Sequence, residues 1–300
     1  MKLWSLIAVY FLFFSACEKK DGIAPGIDPD SPTFSTPVTF SARTSTTFTV
    51  SWAATDAATS SAALEYQVIY SALDNISTID TALLNGTVMT SWTANLLTQN
   101  FTSMSMATRY YVSIMVRDSE GHIAISSGSA NTLCSGKIMF LANVASGNLG
   151  GASGADITCN GNKPAGFAAS TFKALMTDGT NRRSCFISGN DNCSAVTTGR
   201  TDWPLTNSTT YCTSDYETRI GTTNTIGLIT VSNPNTLSTA TTNTYTGFNV
   251  AWGSSASNCS NFISTSGSGI VGSGNGSGSN FYSISIPTCV TAGTIYCAQQ

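Results

Sequence analysis

Eight cysteines, at positions 134, 159, 185, 193, 212, 259, 289 and 297, all lie in the second part of this 300-residue chain, and none falls between Cys17 and Cys134. An even set of clustered cysteines in an exported chain reads as four disulfides, although eight cysteines allow on the order of a hundred pairings. Zinc is a poor alternative. No Cys-x-x-Cys pair occurs, and the sole histidine, His122, precedes the cluster, so metal-ligand spacing is missing. The chain therefore divides into a cysteine-free stretch and a cross-linked module.

Export is written at the N-terminus. Met1-Lys2 opens an apolar run from Leu3 to Phe14, followed by Ser15, Ala16 and Cys17 and then the charged Glu18-Lys19-Lys20. Residues 1–16 read as a signal peptide. The small residues before Cys17 resemble a bacterial lipobox, with Phe14 a looser fit than Leu, which implies acylation of Cys17 and an outer-membrane, surface-exposed lipoprotein. Residues 17–36 carry Pro25, Pro29 and Pro32 among glycines and acids, a composition suited to a tether. Charged residues make up only 10% of the chain, and the formal net charge is −3. That is far below the roughly 25% of ordinary soluble proteins, so Ser, Thr, Asn and Gly must solvate the surface. Nothing resembles the basic stripe that a nucleic acid requires.

From Pro37 the pattern alternates: Val38 and Phe40, then Phe48, Val50 and Trp52, then Tyr66, Val68 and Tyr70, then Tyr111, Ser113 and Met115. Alternation of this kind marks half-buried strands, and about seven such runs over residues 37–133 predict an antiparallel sandwich. Trp52, Tyr66-Gln-Val-Ile-Tyr70, Leu96 and the run Thr108–Asp118 with its Ser119-Glu-Gly121 turn resemble a fibronectin type III domain. The resemblance implies a spacer module. His122 follows the turn and is read as a surface-loop histidine without partners.

Residues 134–300 read as short strands, helices and long polar loops. Ile138 to Val144 is an apolar strand, Gly150 and Gly151 permit close backbone approach, and Ser153 is a candidate cap for a helix carrying Ala155, Asp156 and Cys159. Phe172, Leu175 and Met176 at helical spacing predict a second helix over 166–177. Ser264 to Asn280 is nearly all Gly and Ser, and Gly267 to Gly278 within it reads as a flexible polar loop. Gly147-Asn-Leu-Gly-Gly151 with Gly154-Ala-Asp156 and Cys159, Asp178-Gly-Thr-Asn-Arg-Arg-Ser-Cys185, Ile220-Gly-Thr-Thr-Asn224 and Tyr296-Cys297 resemble the leptospiral endostatin-like surface lipoproteins. That resemblance implies an α+β, C-type-lectin-like or endostatin-like, disulfide-rich domain. By analogy with lectin-like folds it also implies bridges Cys159 to Cys297 and Cys259 to Cys289, leaving Cys185 with Cys193 and Cys134 with Cys212. The implied partners are host matrix or plasma proteins: laminin, fibronectin, complement regulators and plasminogen.

Catalytic readings are weaker. A nucleophilic triad needs a base beside its nucleophile, and residues 134–300 contain no histidine. Paired carboxylates, the alternative of an envelope hydrolase, draw on Asp156, Asp178, Asp191, Asp202, Asp215 and Glu217, none in a distinctive motif. A purely structural envelope lipoprotein is a further alternative. The Asn190-Asp191-Asn192 run supplies too few oxygens for calcium, so neither metal nor cofactor is expected. The chain reads as a lipid-anchored adhesin rather than an enzyme, with Arg182, Arg183, Trp203, Tyr211, Tyr216 and Tyr245 as the available binding anchors, because exposed aromatic and Arg side chains usually carry interface energy. The mature protein is expected to begin at acylated Cys17. Intact-mass measurement of the native protein checks this, and an unmodified Cys17 thiol or an N-terminus beyond residue 17 would refute it.

Overall fold

A computed structural model describes residues 31–300 other than 186–191, 230–235 and 277. Cys17 and the signal peptide lie outside the described residues, as do Asn190 and Asp191.

The N-terminal part is a two-sheet antiparallel sandwich. Its strands are β1 (Thr33–Ser41), β2 (Phe48–Thr55), β3 (Glu65–Ser71), β4 (Thr87–Val88), β5 (Thr93–Ala94), β6 (Thr98–Phe101), β7 (Arg109–Arg117) and β8 (Ile123–Asn131), with helix α1 (Ile79–Asn85) after β3. One sheet has the order β1-β2-β6, the other β4-β3-β7-β8 with β5 beside β3. β1 begins inside the stretch read as tether. Alternation does what the sequence demands of it: Phe48, Val50 and Trp52 of β2 and Tyr110, Val112 and Ile114 of β7 point into one shared core. Phe48 stacks on Phe101 with ring centroids 4.6 Å apart. The reverse face of β7 is covered at one end by α1, where Ile69, Ile76, Ala82 and Met115 form a second small core. The Thr78 side chain caps α1, accepting from the backbone N of Thr81 while the Thr81 hydroxyl donates back to the Thr78 backbone carbonyl.

His122 is not without a partner. Its Nδ1 lies 2.9 Å from Asp118 Oδ2, and Asp118 Oδ1 also accepts the backbone N–H groups of Glu120, Gly121 and His122. Burial alone would raise the Asp118 carboxyl, but these bonds outweigh it and hold it below the usual carboxylate range. An Asp-x-x-Gly turn closed this way recruits the next side chain.

The C-terminal part is built on β9 (Lys137–Val144). It continues with α2 (Gly151–Gly161), β10 (Phe172–Ala174), β11 (Thr210–Cys212), β12 (Arg219–Thr222), β13 (Thr244–Tyr245), β14 (Val271–Gly272) and β15 (Gly293–Gln299). The sheet order is β12-β11-β9-β15-β13-β14, with β10 also on β15. β9 runs parallel to β11 and antiparallel to β15. Both faces of these central strands are covered: Ile138, Phe140 and Ala142 with Ile295 and Cys297 face one core, while Met139 with Tyr296 and Ala298 face another. A strand buried on both faces reads as a continuous apolar run, which is what residues 138–142 show.

Three expectations are corrected here. Residues 166–177 hold no helix. Phe172, Ala174 and Met176 turn to one core and Leu175 to the other, because the segment extends along β15 with Phe172 opposite Gln299, and period two fitted its apolar residues as well as period 3.6. The cap of α2 is Gly150 in the left-handed region, φ 75°, rather than Ser153. Finally, the Gly/Ser stretch is close-packed where it carries β14. A Cβ on Gly272 would sit 2.0 Å from the Phe281 carbonyl oxygen, so glycine permits two backbones to touch.

The bridges are Cys134–Cys212, Cys159–Cys297, Cys185–Cys193 and Cys259–Cys289. The first lies at the junction of the two parts. Beside it, Cys134 N donates to the Tyr216 carbonyl at 2.6 Å. Arg43, just after β1, pairs with Glu217 through its terminal nitrogens Nη1 and Nη2 and donates from Nη1 to the Asn131 carbonyl. Replacing Cys159 and Cys297 together by Ala is expected to cost the C-terminal part about 5 kcal/mol in the loop-entropy model. Calorimetry checks this: its transition should move down sharply while the sandwich transition stays in place.

Candidate functional site

The most heavily worked polar geometry in the described residues centres on Arg182. Its loop is set by Asp178, whose Oδ1 accepts the backbone N–H groups of Thr180, Asn181 and Arg182 at 2.8–2.9 Å. Gly179 at φ 78° completes that turn. The turn delivers the Arg182 side chain inward, where it is 1% exposed. Nη1 and Nη2 clamp Asp156 Oδ1 and Oδ2, each at 2.7 Å. Nη2 also donates to Asp202 Oδ2, Nε to the Asp202 carboxylate and carbonyl, and Nη1 to the Ala174 carbonyl at 3.0 Å. Every guanidinium N–H thus has an acceptor.

Each carboxylate is anchored in turn. Asp156, on α2 one residue past the buried Ala155, accepts the Ala174 backbone N–H at 2.8 Å. Asp202 also pairs with Lys173 of β10. Burial by itself would lower the Arg182 pKa and raise that of Asp202. The hydrogen bonds and opposite charges reverse both, so Arg182 holds its proton more tightly than usual and Asp202 sits below the carboxylate range. Two anions and two cations balance.

This group lies under a cleft of about 450 Å³. The start of α2 at Gly150 and Gly151 forms one side, with Asn181, Asp202, Asn261 and Ile263 around it. Asn261 belongs to an unusual segment. Cys259, Ser260, Asn261 and Phe262 all have φ between 54° and 60°, one turn of left-handed helix without a glycine, a conformation that costs about 1–2 kcal/mol per residue. Asn258 Oδ1 accepts from Asn261 N, and the Phe262 carbonyl accepts from Leu149 N. The turn is therefore tied to the approach to α2.

The expected anchors do not form one surface. Arg182, Tyr211 and Tyr245 are buried and so are corrected as contact residues. Arg182 is consumed by two aspartates, Tyr211 Oη accepts from Thr206 N, and Tyr245 Oη donates to the Thr291 carbonyl at 2.7 Å. Trp203 is half-buried against Phe248 and Trp252, with its Nε1 on the Gly227 carbonyl. Tyr216 packs against Phe167 at the junction. Arg183 is half-buried, donating to the Gly199 and Gly179 carbonyls. Sequence reasoning missed Asp156 and Asp202 as partners of Arg182. The available signal was Asp156 itself, a carboxylate flanking the Ala152, Ala155, Cys159 face of a helix, where burial demands a cation.

Replacing Arg182 by Met removes the cation and leaves Asp156 and Asp202 facing each other. It should cost about 3–5 kcal/mol, read by denaturant unfolding of the C-terminal transition. For pH, a carboxyl held below its unfolded value contributes stability that is complete above about pH 4 and is lost as pH falls through its folded value. The C-terminal unfolding midpoint should therefore stay level from neutral pH to about 5 and drop in stronger acid, and Asp202→Asn should flatten that acid limb.

A family model described as a protein of unknown function, DUF1554, matches residues 142–279, a span that holds Asp156, Arg182 and Asp202. No curated protein matches the chain. Among solved structures, a computer-redesigned β-sandwich protein is 16% identical over 32% of this chain and 88% of its own, with a TM-score of 0.25. The sixth fibronectin type III domain of human fibronectin type III domain containing protein 3 is 16% identical over 32% of this chain and 81% of its own, at 0.24. The FN1–FN3 domains of chicken CNTN1 are 20% identical, covering 34% of this chain and 32% of their own, at 0.25.

Proposed function

We propose that the protein is a lipid-anchored bacterial surface adhesin. In this reading acylated Cys17 tethers it to the outer membrane, the sandwich carries the C-terminal part outward, and that part, a C-type-lectin-like or endostatin-like domain, holds a host matrix or plasma protein. Support for the lectin-like assignment comes from Cys159–Cys297, which ties the first helix of that part to its last strand.

The observation that carries the binding reading is the cleft. Its floor is a saturated charge cluster, so its walls are fixed before any partner arrives, and preorganised walls reduce the ordering cost of association. Its rim offers the amides of exposed Asn181 and Asn261 and the side chain of Ile263, which is 62% exposed. Asp202 stays ionised across the neutral range and Arg182 holds both carboxylates, an arrangement suited to recognition and poorly suited to proton donation.

Surface binding of the full chain to laminin, fibronectin, plasminogen and complement regulators tests this. At least one should bind saturably without being altered, and Ile263→Asp with Asn181→Ala should weaken that binding by about tenfold. Binding that ignores both substitutions would move the site elsewhere. Turnover of a glycan or peptide abolished by Asp202→Asn would replace the adhesin with a hydrolase.

A further inference from the structure

The sandwich carries a second polar groove, far simpler than the cleft. On β7 the side chains of Tyr110, Val112, Ile114 and Val116 enter the core, which sends Arg109, Tyr111 and Ser113 to the opposite face. On β8, Ser129 stands opposite Tyr111, and Ser127 opposite Ser113. Helix α1 and its leading loop cover the Met115 end of that face and leave the Arg109 end open. The loop is fastened to the sheet by Ser113, whose hydroxyl donates to the Ile76 carbonyl at 2.5 Å and lies 2.8 Å from Ser127 Oγ. A groove of about 320 Å³ results, lined by Asp74 and Ser77 from the loop, Arg109 and Tyr111 from β7, and Ser127 and Ser129 from β8.

Its charges are unusual for a chain with so few. Arg109 is exposed, donates through Nε and Nη2 to Ser129 Oγ at 3.3 and 3.0 Å, and has its guanidinium carbon 5.6 Å from the Tyr111 ring centroid. Nη1 has no acceptor among the described residues. Asp74, also exposed, has neither a hydrogen bond nor an ion pair among the described residues. A cation and an anion thus line one groove without neutralising each other, with a half-buried aromatic ring and serine hydroxyls between them. That spacing leaves room for something which satisfies both.

We propose that this groove binds an acidic sugar, a ring bearing one carboxylate and several hydroxyls. The carboxylate accepts from Arg109, a charge-assisted bond of the stronger class. Ring hydroxyls donate to the Asp74 carboxylate and exchange bonds with Ser77 and Ser127. The C–H face of the ring rests on Tyr111, burying apolar area on an aromatic surface. The volume stands at the lower end of small-molecule sites, about 300 Å³, and suits one sugar unit. Asp74 repels every anion, the sugar carboxylate included, and an acidic peptide side chain brings no hydroxyls to offset that repulsion. A sulfate or phosphate group meets the same repulsion. Asp74 is therefore what selects a hydroxyl-rich acid over a bare anion.

Isotope-labelled full-length protein titrated with glucuronate, glucose and acetate tests the assignment, since the first differs from the second by its carboxylate and from the third by its hydroxyl-bearing ring. Glucuronate should move the amide resonances of Ser77, Tyr111, Ser127 and Ser129, and bind about tenfold more tightly than either comparison compound. Arg109→Ala should remove that tenfold preference and leave glucose unchanged; the exposed side chain makes misfolding easy to exclude from unmoved resonances of β2 and β6. Equal binding of glucose, equal binding of acetate, a preference that survives Arg109→Ala, or no movement at roughly 20 mM sugar would each overturn it. None of these outcomes bears on the cleft of the C-terminal part.

Discussion

A guanidinium removed from water must be matched in charge and in hydrogen bonds, and Arg182, presented by its own turn, meets both conditions with partners from three other pieces of chain. Asp156 comes from α2, the Ala174 carbonyl from β10, Asp202 from the loop that follows residue 199, and the Asp178 turn presents the side chain itself. An ion pair of this kind contributes little net stability compared with an apolar equivalent, but breaking one side of it is expensive. Its effect is to fix position. The helix, the edge strand and two loops cannot drift independently, because each holds a group that the others need satisfied. The cleft inherits its shape from that requirement.

The same economy of charge explains the composition. With few ionic groups, the C-terminal part solves its interior with hydroxyls and close backbone contacts. Thr244 and Thr294 pair their hydroxyls at 2.8 Å between β13 and β15, and Tyr296 Oη donates to the Ser273 and Phe281 carbonyls at 2.8 and 2.6 Å. Buried polar atoms matched in this way cost little. Glycine then lets β14 lie against residues 281–282, and the phenol of Tyr296 reaches both neighbours. What reads in one dimension as a polar, low-complexity run is in three dimensions a packed layer.

Much of the sandwich was legible because its signal is local. Alternation along residues 48–54 and 110–116 states which side chains face the core, and the Asp118-x-x-Gly121 turn states where β7 stops, whereas Pro37 lies inside β1 rather than at its start. The β9 strand was legible for the same reason. The second helix was misread because Phe172, Leu175 and Met176 satisfy helical spacing while Phe172, Ala174 and Met176 satisfy strand spacing, and only β15, more than a hundred residues on, decides between them. Arg182 was misread for a related reason. Asp-Gly-Thr-Asn-Arg-Arg has the composition of a solvated turn, and the turn exists. The aspartates that draw Arg182 inward lie 26 residues before it and 20 after it in the chain, a distance that no window of local pattern spans. Tyr211 and Tyr245 follow the same rule: an aromatic with a hydroxyl serves a core or a surface equally well until its hydrogen-bond partner is known.

The junction has a mechanical meaning. A pull on the C-terminal part, resisted at the N-terminal side of the sandwich, reaches residue 134 by two covalent routes: the backbone through Ser135 and Gly136, and the bridge from Cys212. The bridge delivers tension from β11 directly, so β11 and β9, which are hydrogen-bonded in parallel, are loaded together and neither is peeled from the other. Force therefore passes to the sandwich, which is gripped at β1 on one side and β8 on the other, in different sheets. Strands loaded lengthwise at opposite ends resist by shearing many backbone hydrogen bonds at once. No bridge limits how far the cysteine-free module can extend, whereas four bridges bound the extension of the part beyond it.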